Sequence, residues 1–96
     1  MMRNDAVVSA FARGEPARAG RLWTDGRSLY SYNLMIARRT PAGIVVGDFT
    51  AGGGGFYSVT TSRHVGLARR VADTVMLPEI FKGFKGAVSD PNEIPF

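Results

Sequence analysis

The side chains best suited to chemistry follow one another in a short segment of the second half of the chain. Three hydroxyl residues precede a cation and an imidazole, and two more arginines follow on the same predicted helix. Free N–H groups at a helix N-terminus attract anions, which makes this segment a candidate site for a phosphate-bearing ligand. The candidate ligand-binding residues are Thr60, Thr61, Ser62, Arg63, His64, Arg69 and Arg70. The alternative is that Thr61 or Ser62 only caps the helix.

A catalytic or metal centre is harder to assemble from these residues. His64 is the only histidine, and the chain has no cysteine, which excludes disulfides, thiolate zinc ligands and a cysteine nucleophile. We interpret His64 as a histidine packed at a sheet edge and hydrogen-bonded locally. A small hydrolase that uses His64 with Ser62 stays as an alternative. We therefore predict no enzyme, no metal site and no cofactor.

Aromatic side chains on the predicted strands offer a different kind of surface. Trp23, Tyr30 and Tyr32 are the candidate partner-binding residues. Arginines are interleaved with them, namely Arg21, Arg27, Arg38 and Arg39. Aromatic rings beside arginines on a sheet are how several modules hold single-stranded nucleic acid. The alternative is that the aromatic residues form the core, because one face of the sheet must be buried.

Charge and length narrow the classes of partner. The formal net charge is +4 and the pI is near 10.1. Residues 1–70 hold ten arginines and four acids, whereas residues 71–96 hold two lysines and four acids. This balance favours an anionic partner such as a nucleic acid or nucleotide. No apolar run suits a signal or a membrane span, which predicts a cytoplasmic protein without a membrane partner.

The N-terminal part predicts a short helix followed by a loop. The apolar positions at helical spacing are Val7, Val8 and Phe11. Asn4 or Asp5 can cap this helix and Gly14 can end it. Residues 15–20, which include a proline and a glycine, predict a connecting loop.

A β-hairpin and a meander are predicted next. Asp25-Gly26 between two apolar-bearing runs is typical of a type I′ turn. Alternating apolar and polar side chains predict that the second strand continues through residues 30–37, with a bend or bulge near Asn33. A turn over residues 40–43 then leads into a β-branched strand.

The remaining elements are a strand, a helix and a tail. The β-branched strand covers residues 44–50, and the glycine run at 52–55 leads to a fourth strand over 56–60. The main helix is predicted over 63–76, capped by Thr61 or Ser62 and ended by Pro78. Its apolar face would consist of Val65, Ala68, Val71, Ala72, Val75 and Met76. The fold class is therefore α+β, with an antiparallel meander of about four strands packed on one main helix beside a short N-terminal helix.

A chain of 96 residues predicts one domain, over residues 1–96. Its core is expected over about residues 4–78. The tail at 79–96 has no clear period and is expected either to be loose or to strap an aromatic side chain across the core. A domain this small has a thin margin of stability, which leaves self-association into a homo-oligomer open.

Three segments resemble a family of small uncharacterised proteins encoded by tailed bacteriophages. They are residues 24–32 (TDGRSLYSY), 36–38 (IAR) and 57–64 (YSVTTSRH), which match the family's G-x-x-L-x-S-Y strand, its I-A-x-R continuation and its Y-S-x-T-T-S-x-H segment. The resemblance covers residues 20–70, and the glycine run at 52–55 departs from it. It implies a phage accessory protein acting in the bacterial cytoplasm, and it supplies no catalytic residue.

Two hypotheses from different classes follow from these observations. The first is a non-catalytic protein whose basic surface binds a nucleic acid or nucleotide. The second is a protein–protein inhibitor of a host enzyme or bacterial defence system, anchored by the aromatic hairpin or by the tail. Phosphate-driven binding weakens steeply with salt, whereas a packed protein interface responds much less.

Overall fold

The computed structural model describes residues 3–50 and 58–87. In this part of the chain the elements are α1 (Asn4–Arg13), β1 (Pro16–Ala19), β2 (Leu22–Asp25), β3 (Ser28–Ser31), β4 (Leu34–Thr40), β5 (Gly43–Gly47), α2 (Val59–Ala68), β6 (Thr74–Met76) and α3 (Pro78–Ala87). The strands form one sheet in the order β1 to β6, antiparallel except for the parallel β5–β6 pair. The α+β class is confirmed. The expectations of about four strands and of a single main helix are wrong.

The N-terminal helix ends where the sequence predicts. Gly14 adopts a left-handed conformation with φ 78°, and its N–H bonds to the carbonyls of Ala10 and Phe11. The start differs, because Arg3 is the N-cap residue and makes no side-chain cap bond, so a cap at Asn4 or Asp5 is wrong. Asp5 lies in the first turn, where its charge favours the helix dipole.

The predicted loop over residues 15–20 is wrong, because β1 lies there. This strand pairs with β2 from Pro16 opposite Asp25 to Ala19 opposite Leu22. Ala17 and Ala19 pack against the core. The proline is tolerated because β1 is an edge strand, where one row of backbone N–H groups needs no partner.

The predicted hairpin forms with a different turn. Thr24 pairs with Leu29, which leaves Gly26 and Arg27 at the centre of the turn. Of these central residues Gly26 alone has a positive φ, at 97°, so the type I′ prediction is wrong. The side chain of Asp25 explains the shift, since its Oδ1 accepts hydrogen bonds from the backbone N–H groups of Arg27 (2.9 Å) and Ser28 (2.8 Å).

The long strand predicted over residues 30–37 is two strands. The chain reverses at Tyr32 and Asn33, because Ser31 pairs with Leu34 across this turn. The register then shifts beside Tyr30, which is a β-bulge. The turn over residues 40–43 is confirmed, since Thr40 pairs with Gly43. The strand after it ends at Gly47, which is shorter than the predicted 44–50.

The region of the predicted fourth strand is only partly described. Residues 51–57, including the glycine run, lie outside the described residues. Val59 and Thr60 belong to α2, so a strand that continues to residue 60 is wrong. The cap is Ser58, whose Oγ accepts a hydrogen bond from the N–H of Thr61 at 3.1 Å. Thr61 and Ser62 are therefore helical residues and not caps.

The main helix is shorter than the predicted 63–76, because α2 ends at Ala68. Asp73 lies just beyond it, and its Oδ2 accepts a hydrogen bond from the N–H of Ile44 at 2.8 Å. This bond draws the following residues alongside β5 as strand β6. The predicted helix face past Ala68 therefore contributes to a loop and to a strand.

The core lies between the sheet and the helices. Helix α1 packs on β1 to β3 and on α2, while α2 and α3 both contact β5. Phe81 of α3 is fully buried and meets the ring of Phe49 edge to face at 6.0 Å, so the core extends beyond residue 78. Residues 88–96 of the predicted tail lie outside the described residues. Within the described ranges, every helix is too short or too polar to cross a bilayer.

Candidate functional site

Cross-strand register places an arginine and two aromatic rings side by side on the sheet. Leu22 and Thr24 are buried toward the core, so Trp23 between them points to the opposite face. Register pairs Trp23 with Arg18 of β1 on one side and with Tyr30 of β3 on the other. The rings of Trp23 and Tyr30 stack with centroids 4.2 Å apart and planes at 11°, and the Arg18 Cζ lies 5.3 Å from the Trp23 ring.

A second arginine and ring lie at the β3–β4 turn. The Cζ of Arg21 lies 5.0 Å from the ring centroid of Tyr32, which is 40% exposed. Trp23 connects the pairs, because its Nε1 donates a hydrogen bond of 2.7 Å to the carbonyl of Tyr32. We call Arg18, Arg21, Trp23, Tyr30 and Tyr32 the aromatic–arginine surface. Both arginines are exposed to solvent.

Tyr32 has a strained backbone. Its φ is 58°, a left-handed value that bulky residues rarely adopt and that costs about 1–3 kcal/mol. Three contacts hold it: its N–H donates to the Arg21 carbonyl at 2.8 Å, its carbonyl accepts from Trp23, and its ring lies beside Arg21. Retained strain of this kind often marks a functional position, which supports the choice of this surface.

We expect the protein with glycine at position 32 to be more stable than the protein with alanine there. Both substitutions remove the ring, so their difference isolates the backbone, and Tyr32→Gly should exceed Tyr32→Ala by about 1 kcal/mol in free energy of unfolding. Urea denaturation measures this difference. The exposed helical residue Ser9 is the matched control, because there alanine should exceed glycine by about the same amount. If the same residue, glycine or alanine, were the more stable one at both positions, the left-handed backbone of Tyr32 would be contradicted.

A buried polar network joins α2 to β3. The Oγ of Ser31 lies 2.7 Å from Nδ1 of His64 and 3.1 Å from Oγ1 of Thr61. Oγ1 of Thr61 also accepts a hydrogen bond of 3.1 Å from Oγ of Ser58. Each hydroxyl hydrogen finds an acceptor when donation runs from Ser58 through Thr61 and Ser31 to Nδ1 of His64. This direction leaves the proton of the neutral ring on Nε2.

His64 is neutral in this network. It is 3% exposed, and burial lowers the pKa of its imidazole below the ordinary value. Ser31 is fully buried, so a substrate carbonyl cannot reach its Oγ in this conformation. The arrangement can fix the position of α2 on the sheet, and we assign it that structural role.

The residues of the predicted ligand site separate into different environments. Thr61 and His64 point into the core, while Thr60 and Ser62 are half-buried. The remaining members are the exposed residues Arg63, Arg69 and Arg70. Arg69 and Arg70 follow the end of α2, away from the Ser58 cap. These residues therefore do not converge on one point in the described structure.

A groove connects the turn to the helix start. It encloses about 440 Å3 and is lined by Ser31, Tyr32, Asn33, Leu34, Ser58 and Thr61.

The sequence does not single out Arg18, because residues 15–20 are taken for a loop. It also misses Ser31, whose partners Thr61 and His64 lie 30 and 33 positions away. The Arg-Ala-Gly-Arg stretch at residues 18–21, just before the strand that contains Trp23, is the signal that could have indicated a hairpin.

Comparison with known proteins adds no assignment: no protein-family model, curated protein or solved structure matches this chain. The resemblance to phage proteins therefore stays a prediction.

Proposed function

We propose that this protein is a non-catalytic binding protein for an anionic partner, a nucleic acid or nucleotide, which it holds through the aromatic–arginine surface. The observation that carries the proposal is the alignment of Arg18, Trp23 and Tyr30 across neighbouring strands, with Arg21 and Tyr32 beside them. For this function the sequence resemblance suggests a setting, in which the protein acts as a phage accessory protein in the bacterial cytoplasm.

The local charges support an anionic ligand. Both arginines of the surface are exposed, and the charged side chain of β2 is Asp25. That carboxylate is already engaged in the turn, where it accepts two backbone hydrogen bonds. The surface therefore presents cations next to π-faces, the combination that binds phosphates and bases together.

Removing the two arginines of the surface should weaken binding of a short oligonucleotide by about tenfold or more and reduce the salt dependence by about two phosphate contacts. The measurement is a titration at several salt concentrations, followed by the fluorescence of Trp23, the only tryptophan. The variant is Arg18→Ala with Arg21→Ala. Circular dichroism checks that it remains folded.

The matched control is Arg69→Ala with Arg70→Ala, which removes the same charge from exposed positions after α2. It should leave affinity nearly unchanged. A loss of binding in the control, with none in the Arg18 and Arg21 variant, would move the site to the end of α2. Absence of binding by the unaltered protein to any nucleotide or nucleic acid would contradict the proposal.

We keep a protein–protein inhibitor as a second candidate because three apolar side chains that are close in sequence are exposed. Val75 on β6, Leu77 between β6 and α3, and Ile80 on α3 are 43%, 57% and 56% exposed. Exposed apolar patches mark protein interfaces when they are contiguous. A complex with a host protein that persists at high salt and is lost with Leu77→Asp would favour this candidate.

A further inference from the structure

We propose that the ligand of the aromatic–arginine surface is a single-stranded nucleic acid, one base of which stacks on Trp23 in the place that Arg18 holds in this structure. The inference rests on the function proposed above and makes it more specific. It states that a base of the ligand contacts the Trp23 ring, and it predicts weaker binding of a duplex than of a single strand.

The position of Arg18 decides where a ligand can reach the Trp23 ring. It comes from β1 and Tyr30 comes from β3, so they lie on opposite sides of Trp23, which belongs to β2 between them. One face of the indole is closed by the Tyr30 ring at 4.2 Å. The other face carries the guanidinium at 5.3 Å. A planar ligand group can therefore reach the indole only where Arg18 now lies.

Exchange of the Arg18 guanidinium for a base on the Trp23 ring is favourable. An exposed cation–π contact is weak, whereas a base stacked on an aromatic ring contributes more to binding. Arg18 is exposed, and the ion pairs among the described residues join Arg3 to Asp5 and Arg13 to Glu15, so Arg18 is not held by a carboxylate there. Once displaced, its guanidinium can bind the phosphate of the same nucleotide. The base and the phosphate are thus held by neighbouring residues.

The surface fits single-stranded nucleic acid better than a duplex. Bases inside a duplex are stacked on one another, so their faces are closed to protein rings. The surface offers a second position at the β3–β4 turn, where Arg21 lies beside the exposed ring of Tyr32. Two arginine–aromatic pairs side by side fit successive unpaired nucleotides. They give a duplex only phosphate contacts.

The test compares three probes of equal length: an oligothymidylate, an abasic sugar-phosphate strand and a blunt duplex. We expect the oligothymidylate to quench Trp23 fluorescence and to bind at least about fivefold more tightly than either of the others. Arg18→Lys, which keeps the charge and gives up the planar group, should retain the quenching of Trp23 fluorescence and bind the oligothymidylate less tightly than the unaltered protein. A fourth probe, an oligouridylate of the same length, distinguishes RNA from DNA. Tighter binding to it than to the oligothymidylate would support the inference and identify the ligand as RNA.

Equal affinity for the abasic strand, equal affinity for the duplex, or unchanged Trp23 fluorescence at saturation would overturn the inference and leave the proposed function standing. No binding to any probe would overturn the inference, and the absence of nucleotide binding as well would overturn the proposed function itself. Because Arg18→Lys keeps Trp23 intact, the test does not depend on whether a Trp23 variant folds.

Discussion

Replacing Phe81 by alanine is expected to lower the free energy of unfolding by about 3–5 kcal/mol. The ring is fully buried and meets Phe49 edge to face at 6.0 Å. Gly47 of β5 lies against the same two rings, since a Cβ built there would be 2.6 Å from Phe49 and 2.8 Å from Phe81. The substitution would therefore leave a cavity between α3 and the sheet. Small domains are stable by only about 5–15 kcal/mol, so the loss is a large share of the total.

Urea denaturation followed by circular dichroism measures this loss. Ile80→Ala is the matched control, because Ile80 is the preceding residue of α3 and is 56% exposed. It should change the free energy of unfolding by no more than about 0.5 kcal/mol. Similar small effects for the two variants would mean that α3 does not pack on β5 in solution.

Acid is expected to destabilise the protein through His64 at a pH where most carboxylates are still ionised. Burial lowers the pKa of His64 below 6.5 in the folded state. Well above pH 6.5 the histidine is neutral in both states and contributes no pH dependence. Below that pH the unfolded chain takes up a proton that the folded chain does not. The free energy of unfolding then falls by up to about 1.4 kcal/mol per pH unit until the folded pKa is reached.

The hydrogen-bond network gives this prediction its structural reason. Protonated His64 becomes a donor at Nδ1, so Ser31 must accept from it, and the direction of donation through Thr61 is reversed. Urea titrations between about pH 7 and pH 5 measure the slope. His64→Gln is the control, because it should remove the slope whatever its effect on stability at neutral pH. An equal slope in the variant would show that other groups cause it.

The sequence predicts local elements well where one residue decides the geometry. Gly14 ends α1 with the left-handed conformation that its type favours. The hairpin after Asp25 forms, although the turn is shifted by the side-chain bonds of Asp25 itself. The turn at Tyr32 and Asn33 is different, because it has no glycine. Its left-handed Tyr32 is held by Arg21 and Trp23, which are distant in sequence.

Non-local contacts explain the remaining differences. Val71 to Met76 keep a helical period, yet the bond between Asp73 and the Ile44 N–H places the chain in the sheet. The candidate site was predictable in its aromatic residues, because their types and strand positions are local properties. Arg18 could not be assigned, since its role depends on the pairing of β1 with β2. A period alone does not tell which partner a segment will find.

The one parallel pair of the sheet has a consequence for how the molecule folds. Strands β1 to β5 each pair with a sequence neighbour, so that part of the sheet can form one hairpin at a time with little loop-closure entropy. Strand β6 instead pairs Thr74 with Val45, which requires closing the long connection that contains α2. Contacts of such sequence separation slow folding, because their entropy is lost before they stabilise anything. The aromatic–arginine surface therefore belongs to the part of the chain that can form first, and the β6–α3 part closes the core afterwards.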